Sequence, residues 1–205
     1  DHLEEQVFGL TAWGKTYVAA RLYARGKEQD AWRILAAEDN TTVTMTPAVA
    51  PPKVLAQGEW YEVQTTADFV IDADKPVLVG QYMASSYATV TVEPAICTVE
   101  SQCLSQHGFL GICEAAGAFT KACAPIGDPS LILAVAATQY LDDYIFLVPN
   151  KYKLNYITVI AKQGTVATLD GKVVSPFEFK AVGSTGWTVA RLPIPQGAHH
   201  LTTSK

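Results

Sequence analysis

Short apolar runs, each broken within a few residues by turn-forming ones, set the rhythm of this chain. Thr16-Tyr17-Val18-Ala19-Ala20-Arg21-Leu22, Asp30 to Ala36, Thr41-Thr42-Val43-Thr44-Met45, Trp60-Tyr61-Glu62-Val63-Gln64, Phe69-Val70-Ile71 and Val77-Leu78-Val79-Gly80-Gln81-Tyr82 are rich in β-branched and aromatic residues. Such residues suit a half-buried pleated surface, so each run is predicted to be a strand. Glu38-Asp39-Asn40, Pro51-Pro52, Gln57-Gly58 and Asp72-Ala73-Asp74 separate the runs and read as turns. Short strands at this spacing predict an all-β sandwich or barrel. Two stretches, Glu28 to Leu35 and Leu131 to Leu141, have helix-like spacing, but both are read as strand or turn.

The pattern occurs twice. Residues 8 to 75 and 135 to 205 follow one plan. Thr11-Ala12-Trp13-Gly14-Lys15-Thr16-Tyr17-Val18 matches Thr138-Gln139-Tyr140-Leu141-Asp142-Asp143-Tyr144-Ile145, and Trp32 to Ala37 matches Tyr156 to Ala161. A turn at Asn40 or Gly164 follows in each copy, then a Thr-rich strand, then Gly58-Glu59-Trp60-Tyr61 against Thr185-Gly186-Trp187-Thr188. Asn and Gly are the residues that best tolerate a left-handed turn backbone. Ala73-Asp74-Lys75 meets Thr203-Ser204-Lys205. The expectation is two tandem related β-sandwich-like units, 1–83 and 127–205, around an insert at 84–126. The second unit is expected to lack its last strand, the counterpart of Val77 to Tyr82. That strand would lie further along a longer parent protein, or come from another chain. The open sheet edge would then invite strand addition or self-association.

All four cysteines fall in the insert: Cys97, Cys103, Cys113 and Cys123, spaced C-x5-C-x9-C-x9-C. An even number in one Gly-rich segment argues for disulfides and an oxidising compartment. The short C-x2-4-C knuckles of zinc sites are missing, so no metal is expected. Three pairings are open; the expectation is an interleaved one, Cys97 with Cys113 and Cys103 with Cys123. Such staples hold a loop in shape without a core of its own. Asn40-Thr41-Thr42 is a glycosylation sequon at a predicted turn, so Asn40 is a candidate glycan site.

Composition narrows the function. The 205 residues are 49% hydrophobic and 17% charged, enough apolar material for a core and too little charge for disorder. The net charge is −5 and the basic residues are scattered, which argues against nucleic acid. No apolar run approaches a membrane span. The chain opens on Asp1-His2-Leu3 with no initiator Met, as expected of a mature product or an excised piece. Nucleophile-elbow, zincin, phosphate-loop and dinucleotide signatures are all missing from the sequence, so neither a catalytic residue nor a cofactor is expected. His199-His200 reads as a strand position and Asp142-Asp143 as solvated turn residues. Adjacent residues on a strand point to opposite faces, which disfavours a two-His metal site. Trp13, Trp32, Trp60, Trp187, Tyr140 and Tyr156 fall at repeated positions and are read as core, leaving Tyr23, Tyr87 and Tyr152 as contact candidates.

The segment from His2 to Phe8, the Trp13-Gly14-Lys15-x-Tyr17-Val18 run and the stretch from Arg33 to Thr44 resemble the IgGFc-binding domain family. So do Lys75 to Tyr82, Gly127-Asp128-Pro129-Ser130-Leu131 and Asp143 to Pro149. The likeness covers most of the chain outside the insert, whose C-x5-C start is closer to bacterial secreted or surface members. It implies an extracellular binding or adhesion module, not an enzyme, within a larger secreted or surface protein. The ligand would be a protein or a glycan. The alternative is a structural subunit of an extracellular assembly, polymerising by strand complementation.

Overall fold

The computed structural model describes residues 3–86, 96–116, 120–125, 127–152 and 154–204. The fold is all-β, in several sheets, with a disulfide-held insert carrying one short helix. The first half holds β1 (Gly14–Ala19), β2 (Asp30–Ala36), β3 (Thr41–Thr46), β4 (Lys53–Leu55), β5 (Trp60–Thr65) and β6 (Phe69–Met83). The insert holds α1 (Ser101–His107), β7 (Gly111–Ala115) and β8 (Lys121–Pro125). After β9 (Ser130–Leu133) come β10 (Asp143–Val148), β11 (Tyr156–Lys162), β12 (Ala167–Leu169), β13 (Lys172–Val173), β14 (Lys180–Ala181), β15 (Trp187–Pro193) and β16 (Gly197–Thr203).

The 15-residue β6 organises the first half. Its first part pairs with β1 and β3, and its second with β2 and β9. Inward side chains from both parts, among them Phe69, Ile71, Val77 and Val79, meet Tyr17, Trp32, Ile34 and Val43 in one buried cluster. Two of the strands expected from sequence are thus one, and Asp72-Ala73-Asp74 is ladder rather than turn. The alternation explains it: Ala73 lies between two carboxylates that face outward and find partners. Asp72 accepts from the Thr16 hydroxyl (2.8 Å) and Asp74 from the Thr42 N–H (2.8 Å). The first strand is also shorter than expected, ending at Ala19. β9 joins the first sheet from beyond residue 126.

The second half repeats the arrangement as two separate sheets, β10-β16-β12-β13 and β11-β15-β14. A 3-10 turn precedes both β1 and β10 (Leu10–Ala12, Ala137–Gln139). In each half a tyrosine hydroxyl then accepts from the backbone three residues earlier. Tyr17 takes the Gly14 N–H and Tyr144 the Leu141 N–H, both at 2.8 Å. Leu35 pairs with Trp60 as Lys162 pairs with Trp187. This register equates Trp32 with Val159, not with Tyr156 as the sequence match had it. Trp32 and Val159 are both buried, whereas Tyr156 is not. The ladders match Met45 to Leu169, so the path from Leu35 to Met45 is longer than that from Lys162 to Leu169, and a match without a gap there shifts β11 out of place. β2 has two partner strands, β5 and β6; among the described residues β11 has one, β15.

The two halves pack directly on each other. Val18, Ala20 and Val70, on the outer face of β1 and β6, are buried against Val182 and Val189, with Tyr140, Ile160 and Trp187 around them. Arg191 donates from Nε to the Arg21 carbonyl (2.7 Å) and pairs with Asp68. Tyr23 stacks on Tyr156 with ring centroids 3.6 Å apart. Gly183 is required here: a Cβ would sit 2.7 Å from Pro47 Cγ, and its φ of +52° is left-handed.

Candidate functional site: an arginine–aromatic platform

Strand alternation delivers two faces to the sheet of β5, β2, β6 and β9. Trp32 and Ile34 point into the core, so Arg33 and Leu35 point out. Register then places Glu62 and Gly80 beside Arg33, and Trp60 and Leu78 beside Leu35. Tyr82 pairs with Leu131, and Gly80 with Leu133. The result is a shallow open groove with an apolar floor, bordered on one side by Glu5 and Val7.

Arg33 is its centre. The guanidinium lies 4.9 Å from the Trp60 ring centroid and 4.8 Å from that of Tyr82. Its Nε donates to Glu62 Oε2 at 2.7 Å. That hydrogen bond raises Arg33 and lowers Glu62 from their ordinary pKa values, so both stay charged. Trp60 is 53% exposed and the Arg33 side chain 47%, so the stack lies open to water. An ion pair this exposed contributes on the order of 0.5 kcal/mol to the fold. A rigid, exposed Trp–Arg–Tyr stack over aliphatic side chains has the residue types that carry most energy in protein interfaces. Such a surface offers a ligand stacking, apolar contact and charge.

Trp60 was expected in the core, and Arg33 was not singled out. The signal was present: Trp60, Glu62 and Gln64 share one face of β5, while Tyr61 and Val63 share the other. Two polar companions mark Trp60's face as the outer one. Trp32 is buried as expected. Tyr140 and Trp187 meet edge to face at 5.6 Å beside the contact between the halves, and burial there pushes the Tyr140 phenol up to about 12. Tyr23 is committed to its stack with Tyr156, Tyr152 is exposed, and Tyr87 lies outside the described residues.

In the insert, disulfides join Cys97 to Cys113 and Cys103 to Cys123. With Phe109 these cysteines form the insert's own small cluster. The sulfurs of Cys97, Cys103 and Cys123 lie within 4.8 Å of one another, as in a metal site, but each is in a disulfide and none is a free thiolate. α1 was not expected. Gln102 Oε1 accepts the Thr98 N–H at its start (2.6 Å), and left-handed Gly108 closes its end. At seven residues it is too short for periodicity to reveal. Asn40 is exposed in its turn with φ 55°. His199 and His200 take opposite faces of β16, one buried and one exposed, and Asp143 begins β10.

No helix among the described residues is long and apolar enough to cross a membrane. No curated protein and no solved structure gives a significant match to the chain. A family model described as "IgGFc binding protein" matches residues 1–205, from end to end. The chain therefore belongs to the IgGFc-binding family.

Proposed function

We propose that this chain is an extracellular binding and adhesion module that takes a protein ligand on the platform of Arg33, Trp60 and Tyr82. The observation that carries this is the exposed cation–aromatic stack itself: leaving Trp60 half in water is a cost that folding does not require. Family membership supports a binding role, and the paired cysteines suit an oxidising, extracellular setting. On this reading the units are 1–83 and 127–205, with β9 completing the first, and 84–126 is a disulfide-held knob. Asn40, exposed in its turn, is an available glycan site. The probe is immunoglobulin Fc, intact and enzymatically deglycosylated, captured on a biosensor. Trp60→Ala and Arg33→Ala should each weaken binding tenfold or more, roughly the 2 kcal/mol of an interface hot spot. Loss of binding on deglycosylation alone would assign the platform to a glycan, and binding indifferent to both substitutions would remove the platform from recognition.

A second reading is a structural subunit completed by a strand from another chain. It is favoured by β11, which among the described residues has one partner strand where β2 has two. An added peptide equivalent to residues 76–82 that protects the β11 amides from exchange would support it.

A further inference from the structure

The contact between the two halves is heterologous: it joins the outer face of β1 and β6 to the face carrying Ile160, Trp187 and Val189. Each half owns both kinds of face, because the strands repeat. Tyr17 matches Tyr144, so Val18 and Ala20 match Ile145 and Leu147. The ladder agrees: Val18 pairs with Val70 as Ile145 pairs with His200. Val18, Ala20 and Val70 are 3–4% exposed because the second half covers them; Ile145 is 81% exposed and Leu147 74%. Among the described residues the other kind of face is open as well. Trp60 matches Trp187, Arg33 matches Ile160, and each tryptophan carries a cation, Arg33 at 4.9 Å and Lys162 Nζ at 3.7 Å. Among the described residues one end of the molecule thus shows the counterpart of the buried ridge, and the other the counterpart of the face that covers it, with Arg33 and Glu62 in the places of Ile160 and Val189.

We infer that Ile145 and Leu147 of one chain dock on the Arg33–Trp60 platform of a second copy, head to tail. The inference rests on the reading of the platform as a protein-binding surface, and it names the partner. An aliphatic ridge suits the apolar floor of Leu35, Leu78 and Leu133, while the Arg33–Glu62 pair stands where Ile160 and Val189 stand in the internal contact. A head-to-tail contact leaves a ridge and a platform free at each step, so it propagates beyond a dimer. It is also weaker than the internal one. Arg191 and Asp68, which pin the two halves, are matched by Gln64 and Ala198, which form no ion pair. The association is therefore reversible and dependent on concentration.

Sedimentation velocity of the whole chain tests this, with circular dichroism confirming that each variant folds. The average mass of the wild type should rise with concentration. Ile145→Glu with Leu147→Glu should abolish the rise, as should Trp60→Ala. Mixing the ridge variant with the Trp60 variant should give a dimer and nothing larger, since each retains one intact end. A wild type that stays monomeric to its solubility limit overturns the inference, and so does association that survives the ridge variant. Fc capture separates the two proposals, because the ridge variant should still bind Fc as a monomer. A monomeric wild type that loses Fc with Trp60→Ala sinks this inference alone; oligomers whose Trp60→Ala variant keeps Fc sink the recognition reading alone.

Discussion

His199 and His200 are neighbours on β16 and meet opposite surroundings. His200 points to solvent and lies 2.8 Å from an Asp143 carboxylate oxygen. The His199 ring is buried between two acceptors, Asp170 Oδ2 at 2.7 Å and the Pro195 carbonyl at 2.9 Å. Only the protonated imidazole can donate to both. The hydrogen bond to Asp170 accordingly raises the His199 pKa, and the same bond holds Asp170 below its ordinary value. A pKa raised by folding gives stability that is complete below the unfolded value, about 6.5, and is lost as pH climbs through the folded value. For Asp170 the sense is opposite: its contribution is present above about 3.9 and is lost as pH falls through the lowered value. The thermal midpoint should therefore fall between about pH 6 and pH 8, and the drop should shrink in His199→Gln. Calorimetry of the two proteins across that range checks it; a parallel fall in both would place the titrating group elsewhere.

At the scale of elements, the insert and the sheets depend on different forces. The first sheet buries large side chains such as Trp32, Tyr17 and Phe69 in a continuous cluster. The insert's cluster is four cysteines and Phe109. Its hold on the rest includes a hydrogen bond from the Leu110 N–H to the Arg25 carbonyl. A bridge closing about 20 residues limits the unfolded chain by about 3 kcal/mol, more than this small cluster supplies. Replacing Cys103 and Cys123 with serine should therefore release α1, β7 and β8 and leave the sheets in place. Hydrogen exchange reads this directly: residues 96–125 should lose protection while β2 and β6 keep theirs. Loss of protection throughout would mean that the insert supports the first sheet.

The apolar contact between the halves, flanked by the Arg191–Asp68 pair and the Tyr23–Tyr156 stack, joins the whole molecule. Val189 is fully buried there, and a carboxylate in its place would be stripped of water among Val18, Val70 and Val182. Val189→Glu should cost roughly 3 kcal/mol or more and uncouple the halves, turning one unfolding transition into two. A single transition, merely shifted, would show that the halves cooperate through other contacts. Trp60 and the Ile145–Leu147 ridge lie open at the two ends, the faces to which the two proposals assign ligand capture and self-association.

The strands β1, β2, β3 and β5, the turns at Asn40 and Gly58 and the existence of a repeat are written in local pattern. Alternation and turn residues act over a few positions, so they can be read along the chain. The continuity of β6 could not be read, because Asp72 and Asp74 look like turn residues until Thr16 and Thr42 are found beside them. The platform was half legible, through the polar companions of Trp60. Least legible was the fate of strands that are apolar on both faces. Tyr17-Val18-Ala19-Ala20 and Tyr144-Ile145-Phe146-Leu147 carry the same pattern, and both predict burial on two sides. Only the tertiary structure decides that the first is covered and the second bare, because burial of an outer face depends on what packs against it, not on the strand that bears it.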